Sequence, residues 1–428
     1  MGPRGRQMSF GGRCAAGVVS LAVAGPRGTK AHFAELIEKK PCRKDIVADR
    51  RGTEMTFKFG FSEADLSDDE AGVAGTSAGS VAAASAAAPA SQTKTGSLDE
   101  LEKTITTETA PQVHSLESVL ETLRGLRVSF AKSMSPQKGE EMYRRELFDI
   151  KHQVMCEDSE GATNTGGMIQ GLLMAEGDGV VDIKRNVYEG GFKSWECSYD
   201  MVDALAGLVG DGSEFRYKSI VELGCGSALP ACYVFRRLLS AQQSGFRMVF
   251  SDFNYEVLRL VTVPNLVIHW ASTLDAATLH ELTADASSDV DAGAPVLDDN
   301  ELLFSPKLLA AFTDELAHRC ISITLISGSW GRSFQHILSP LAPDLLLTSE
   351  TIYASDILAA VADLIIETLQ GSEGSKALVA AKHYYFGVGG SVSEFLSYIR
   401  PRLPAAASLN ATDIASSQLK RSIVSLTF

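Results

Sequence analysis

The stretch Val221-Glu222-Leu223-Gly224-Cys225-Gly226-Ser227-Ala228 decides how the rest of the chain is read. An apolar run leads into it and a helical pattern follows, so it marks a strand turning into a helix. Glycine is required where the backbone turns sharply or must come close to a ligand, because any side chain would block both. A dinucleotide-binding turn carries Gly-x-Gly-x-x-Gly, with its amides facing a pyrophosphate. Here Leu229 stands at the third glycine position and Pro230 follows, so the nicotinamide pattern is not met. Asp252 ends the next apolar run in Phe250-Ser251-Asp252-Phe253-Asn254. An acid at about 20 to 30 residues past such glycines is placed to bind ribose hydroxyls.

Working outward, strand-like and helix-like runs alternate from about residue 180 to the end. Strands are predicted at 219–223, 247–251, 322–327, 344–347, 377–381 and 422–428, with a helix at 229–239. That alternation indicates a doubly wound α/β domain. The chain between Ala271 and Arg319 is acid-rich, notably from Ser287 to Asn300. It reads as an insertion over about 272–318, a surface loop with partial helix outside the active core. Upstream, residues 111–179 read as a helical lead-in, with Leu116, Val119, Leu120 and Leu123 at helix spacing and Ser115 as the cap. Residues 55–110 are dominated by Ala, Ser, Gly, Thr and acids, too poor in large apolar groups to offset the entropy of ordering, and so are expected to be mostly disordered.

Charge is unevenly placed. The whole chain of 428 residues carries a net −14, yet residues 1–54 hold 11 Lys/Arg against 5 Asp/Glu, which leaves −20 on residues 55–428. An acidic body repels a phosphate backbone and suits a basic protein partner. No run reaches the roughly 18 apolar residues of a membrane span. The seven cysteines form no Cys-x-x-Cys pair and are odd in number, which argues for reduced thiols and against a structural zinc site. The basic residues 1–54 have two readings, an organelle-targeting segment or a stretch upstream of a true start at Met55. Nothing in the sequence sets an oligomeric state.

The glycine stretch also matches the Glu/Asp-x-Gly-x-Gly loop of methyltransferases, with Ala228 in place of a third glycine, a change expected to narrow the pocket slightly. Further motifs follow in order. They are Tyr188-Glu189-Gly190-Gly191 with Trp195-Glu196-Cys197, then Asp252-Phe253-Asn254, Thr262-Val263-Pro264-Asn265 and Ser327-Gly328-Ser329-Trp330. Leu347-Thr348-Ser349-Glu350-Thr351-Ile352-Tyr353 and Tyr385-Phe386-Gly387-Val388-Gly389-Gly390 complete the set. Together they resemble the protein-histidine N-methyltransferases, a branch of the seven-β-strand methyltransferase-like enzymes. Met55-Thr56-Phe57-Lys58-Phe59 is similar to that family's N-terminus.

The resemblance implies a Rossmann-like, seven-stranded class I sheet with helices on both faces over residues 180–428, and S-adenosylmethionine as cofactor. It implies cofactor contacts from Ser194, Trp195, Glu196, Cys197 and Ser198, from Gly224 and Gly226, and from Asp252, Phe253 and Asn254. Gly328, Ser329, Trp330 and Ser349 complete that set, with Trp330 stacked on the adenine ring. The family's Gly-Glu-Trp is Gly-Ser-Trp here, so the chain lacks that carboxylate. The implied substrate is a histidine of a large-subunit ribosomal protein, the universal L-three protein, in the cytoplasm and the nucleus or nucleolus.

The chemistry asks little of the protein beyond alignment. A neutral imidazole, with a pKa near roughly 6.5, keeps a lone pair at pH 7. A hydrogen-bond acceptor on its other nitrogen selects the tautomer and stabilises the charge that forms. Glu350, just past a predicted strand end, is the candidate acceptor, and Tyr353 the candidate to line the same pocket. Lysine methylation, and a non-catalytic adaptor that keeps the fold and binds a ribosomal protein, stay open as alternatives.

Overall fold

The computed structural model describes residues 97–159, 188–212, 215–284, 300–385, 389–415 and 419–428. Residues 1–96, including the basic segment, the Met55 motif and most of the low-complexity stretch, lie outside the described residues, as do 285–299 of the acidic insertion and 386–388 of the last motif. The described strands, in chain order, are β1 (Gln112–His114), β2 (Arg127–Met134), β3 (Glu141–Arg145), β4 (Ser219–Leu223), β5 (Arg247–Asp252), β6 (Glu301–Leu303), β7 (Ser322–Ser327), β8 (Leu345–Ser349), β9 (Lys376–Lys382), β10 (Ser408–Asp413) and β11 (Arg421–Thr427).

Eight of them form one sheet in the order β1-β7-β5-β4-β8-β9-β11-β10. The five strands from β7 to β9 run parallel. β11 is antiparallel to β9, β10 to β11, and β1 to β7. Without β1 this is the expected seven-stranded sheet, and β1 adds an eighth strand at one edge. Strand order reverses at β4, which has β5 on one side and β8 on the other, so the crevice that receives ligands in such sheets lies at the carboxyl ends of these strands.

Parallel strands covered on both faces are apolar almost throughout. β4 is buried at all five positions. Its side chains and those of its neighbours alternate between two cores, because successive Cβ atoms point to opposite faces. Ile220, Met248, Phe250, Leu345 and Leu347 enter one core with the helices Glu196–Val209, Leu229–Ser240 and Val263–Ala271. Val221, Val249, Leu346, Ala377 and Val379 enter the other, with the helices Arg332–Leu338, Ser355–Leu369 and Val392–Ile399. No helix among the described residues is long and apolar enough to cross a membrane.

Three stretches differ from the sequence reading. Pro306–His318 is a helix packed into the core between β6 and β7, where a surface loop with partial helix was expected. Ser305 caps it by accepting the Leu308 N–H at 3.0 Å, and Leu308, Leu309, Phe312 and Leu316 are buried. The acidic residues around it masked that pattern. Within 111–179 the expected helical lead-in also contains β1, β2 and β3. β3, β2 and β6 make a second, antiparallel sheet, beside the helices Leu116–Leu123 and Leu147–Ser159. Ser115 does cap the first of those helices, its side chain accepting the Ser118 N–H. The third stretch is residues 97–110, expected to be disordered. Ser97–Glu102 is a helix with Leu98 fully buried, because Ser97, Asp99 and Glu102 are tied to the body of the domain through Asp363, Arg332 and Ser333.

Candidate active site

The glycine loop leaves the end of β4 in a backbone conformation that ordinary residues resist. Gly224 has φ 60° and Gly226 has φ 50°. A Cβ on Gly224 would stand 2.5 Å from Thr351 Cγ2 and 3.2 Å from the Trp330 ring. Ala228 also has a positive φ, 51°, which explains why glycine suits its position. It is fully buried and does not line the cavity, so it does not narrow the pocket.

Side chains hold the loop from behind. Helix Val263–Ala271 is preceded by a π-helical turn, Leu258–Thr262. Thr262 Oγ1 donates to the Gly226 carbonyl at 2.7 Å and Asn265 Nδ2 to the Ser227 carbonyl at 2.8 Å. Asn265 Oδ1 accepts the Arg145 N–H at 2.7 Å, and the Arg145 guanidinium donates at 2.9 Å to the Leu260 carbonyl, whose partner four residues on would be Pro264, with no N–H to give. Asp252 Oδ2 accepts the Gly226 N–H at 2.9 Å, and Oδ1 accepts the Asn254 N–H at 3.2 Å. Burial pushes the Asp252 carboxyl up to about 6 against the pull of these backbone donors. Glu222 lies beneath the loop, its Oε2 accepting the Ala231 N–H at 2.9 Å. Burial pushes it up to about 8, so it holds its proton at neutral pH.

One cavity opens on this loop. Of the residues implied for the cofactor, Trp195, Ser198, Gly224, Gly226 and Asp252 line it, as do Phe253, Gly328, Ser329, Trp330 and Ser349. Trp330 is fixed by its Nε1, which donates to Ser251 Oγ at 3.3 Å, and Trp195 by its Nε1, which donates to the Gly190 carbonyl at 3.2 Å. The buried Ser349 Oγ has no hydrogen-bond partner among the described residues.

Four implied contacts stand behind the wall instead. Ser194 Oγ donates to Ser227 Oγ at 2.7 Å. Glu196 faces solvent and takes the Lys382 ammonium at 2.9 Å. Cys197 is buried, and its backbone N–H donates to Glu350 Oε1 at 3.3 Å. Asn254 supports Asp252 through its own N–H.

Glu350 and Tyr353 both line the cavity. Glu350 has φ 59°, and its side chain is only 6% exposed. It does not cap the helix that follows its strand. It receives Cys197 N–H, at the start of helix Glu196–Val209, and Lys382 Nζ at 3.4 Å. Burial alone would lower the Lys382 ammonium, but the Glu350 and Glu196 charges outweigh it and hold the ammonium above its ordinary range. The Tyr385 phenol is pushed well up, first by burial and then by the Glu350 charge. Burial and Glu350 likewise raise the Cys197 thiol, which stays protonated and is no nucleophile. Tyr353 donates its hydroxyl to Glu189.

Sequence reasoning missed several wall residues. Glu189, Gly190 and Gly191 were quoted as a motif but given no role, although a Cβ on Gly191 would stand 2.7 Å from Val257 and 3.2 Å from Asp252 Oδ2. Leu101 and Thr104 come from the stretch expected to be disordered. Lys382 ends β9, and no local signal links it to Glu350.

No protein-family model matches the chain. It is similar to histidine protein methyltransferase 1 of Saccharomyces cerevisiae, with 39% identity over 363 residues that cover 82% of this chain and 92% of that protein. The protein of the same name from Schizosaccharomyces pombe is 32% identical over 315 residues, 73% of this chain and 82% of its own length. A histidine protein methyltransferase 1 homolog from Rattus norvegicus is 28% identical over 251 residues, 58% of this chain and 59% of its own.

Proposed function

The chain belongs to the histidine protein methyltransferase family, and on that premise we propose that it transfers a methyl group from S-adenosylmethionine to a histidine side chain of another protein. The observation that carries this reading is the make-up of one cavity. It joins a glycine-walled cradle to a buried carboxylate held by a cation, Glu350 with Lys382.

The residues present fit the cofactor. At Gly224 and Gly226, on the cavity wall, a Cβ would crowd Thr351 and Gly191, and the unpartnered Ser349 Oγ needs a polar ligand atom. Asp252 keeps acceptor capacity beyond its two backbone donors for ribose hydroxyls. When bound, S-adenosylmethionine supplies a methyl group already activated on a sulfonium.

The chain's own residues then have three tasks. Glu350 accepts the N–H of the incoming imidazole, so the other ring nitrogen presents its lone pair. The same carboxylate stabilises the positive charge that appears on the ring and takes up the proton that must leave it. Lys382 and the Cys197 N–H keep that carboxylate in one orientation. Tyr353, anchored on Glu189, walls the acceptor end and limits water there.

The target in this reading is the universal L-three protein of the large ribosomal subunit, in the cytoplasm and nucleus. The resemblance in the ordered motifs supports it, and the charge of −20 on residues 55–428 suits a basic partner. The test is transfer of labelled methyl from S-adenosylmethionine to that ribosomal protein, followed by acid hydrolysis. Label in methylhistidine is expected. Label in methyllysine would overturn the choice of acceptor, and absence of both transfer and cofactor binding would overturn the enzyme.

A further inference from the structure

Residues 97–111 do more than lead into the domain. The helix Ser97–Glu102 is pinned at its start by Ser97 Oγ, which donates to Asp363 Oδ2 at 2.5 Å, and by Asp99, which accepts from Arg332 Nε at 3.0 Å. Glu102 Oε2 accepts the Ser333 N–H at 2.8 Å. The chain then crosses the carboxyl end of β7, where the Ser329 N–H donates to the Thr109 carbonyl at 2.9 Å. A Cβ on Gly328 would stand 2.7 Å from both the Ala110 carbonyl oxygen and Pro111 Cα, so the backbones touch there. β1 finally pairs with β7, Gln112 opposite Ser327. Between these anchors Leu101 and Thr104 line the cavity.

The part of a ligand that this strap meets follows from the sheet. Asp252, at the end of β5, is the acceptor for ribose hydroxyls. The cavity continues past Asp252 to the end of β7, at Gly328 to Trp330. The base must lie on that side. Leu101, Trp330 and Ile357 pack in one apolar cluster and all face the cavity, which suits a flat aromatic ring.

We propose that the strap 97–111 is a wall of the cofactor site, with Leu101 packing on the purine base. This rests on the methyltransferase reading. It assigns a binding role to a segment outside the sheet, and it makes cofactor affinity depend on how the strap is docked.

The experiment measures binding of S-adenosylhomocysteine and of adenosine to the full chain by calorimetry, for wild type and Leu101→Ala. Each ligand should bind about tenfold more weakly to the variant, from the lost apolar contact. The loss should be equal for the two ligands, because the strap meets only the part they share. Unchanged affinity, or a loss confined to S-adenosylhomocysteine, overturns the inference and leaves the methyltransferase reading intact. Failure of the wild type to bind S-adenosylhomocysteine overturns that reading instead. Hydrogen exchange on the wild type needs no variant to fold. Added S-adenosylhomocysteine should slow amide exchange across 97–111, and unchanged exchange there overturns the proposal.

Discussion

The two ends of the cavity are built in opposite ways. The cofactor end is shaped by backbone. Gly224, Gly191 and Gly328 are places where a Cβ would clash with its neighbours, at Gly226 it would be tight, and Thr262 and Asn265 fix the loop by holding its carbonyls. The acceptor end is shaped by charge. Glu350, Lys382 and Glu196 form a chain of alternating sign beneath Tyr353 and Tyr385. A backbone-built site loses shape when a side chain is added, whereas a charge-built site loses function when one is neutralised. The two ends should therefore fail separately.

Neutralising Glu350 should have the largest effect. Glu350→Gln keeps the side-chain volume but removes the charge proposed to stabilise the ring cation and accept its proton. Loss of one such preorganised group costs roughly 100- to 1,000-fold in kcat, and the Kd for S-adenosylhomocysteine should stay within twofold (about 0.4 kcal/mol). Loss of cofactor affinity in this variant would show that the two ends are not separable. Near-normal turnover would remove Glu350 from the mechanism.

Gly224→Ala probes the other end. The added methyl meets Thr351 Cγ2 at 2.5 Å with φ at 60°. Strain plus a blocked cradle should weaken S-adenosylhomocysteine binding by about 100-fold, seen in a calorimetric titration, while the variant saturated with cofactor keeps a measurable kcat. Unaltered affinity would mean that the loop can relax and that the backbone contact does not shape the site.

Lys382→Met sharpens the contrast, because Lys382 pairs with Glu350 and Glu196 and otherwise meets only the Trp195 ring, at 5.2 Å from its centroid, among the cavity residues. We expect kcat to fall about tenfold, with the cofactor Kd unchanged and Lys382→Arg restoring most of the rate. If Arg fails to rescue, the role of Lys382 is in its fit rather than its charge.

These contrasts also explain what could be read from the sequence. The parallel strands were legible because β4, β5 and β8 are buried on both faces and read as apolar runs. Asp252 was legible because it ends such a strand, whereas Trp330 and Ser349 were reached only through the family resemblance. β10 was missed: Ser408–Asp413 is mostly exposed and polar, and pairing with β11 alone makes it a strand. The strap was missed because its composition is small and polar, and its order comes from Asp363, Arg332 and Ser333, more than 200 residues away. Glu350 was legible as a carboxylate at a strand end, but its partner Lys382 was not, because strand pairing rather than local spacing brings them together.

The last effect is on stability rather than turnover and concerns the join between the two ends. Glu222 lines the cavity under the glycine loop, fully buried, with Asp252 as its charged neighbour. Burial raises its folded pKa to about 8 from 4.5, so the folded protein binds this proton more tightly than the unfolded chain does. The stability it contributes is full below pH 4.5 and is lost as pH rises through about 8. Asp252, raised from 3.8 to about 6, has the same sign over its own, lower window. Glu222→Gln keeps the shape and cannot ionise. In urea unfolding of the ligand-free protein, the variant should gain on the wild type by roughly 4 kcal/mol between pH 5 and 9, most of it below pH 8. A difference that stays flat with pH would mean that Glu222 ionises freely in the folded state, and that the floor of the glycine loop is wetter than its packing indicates.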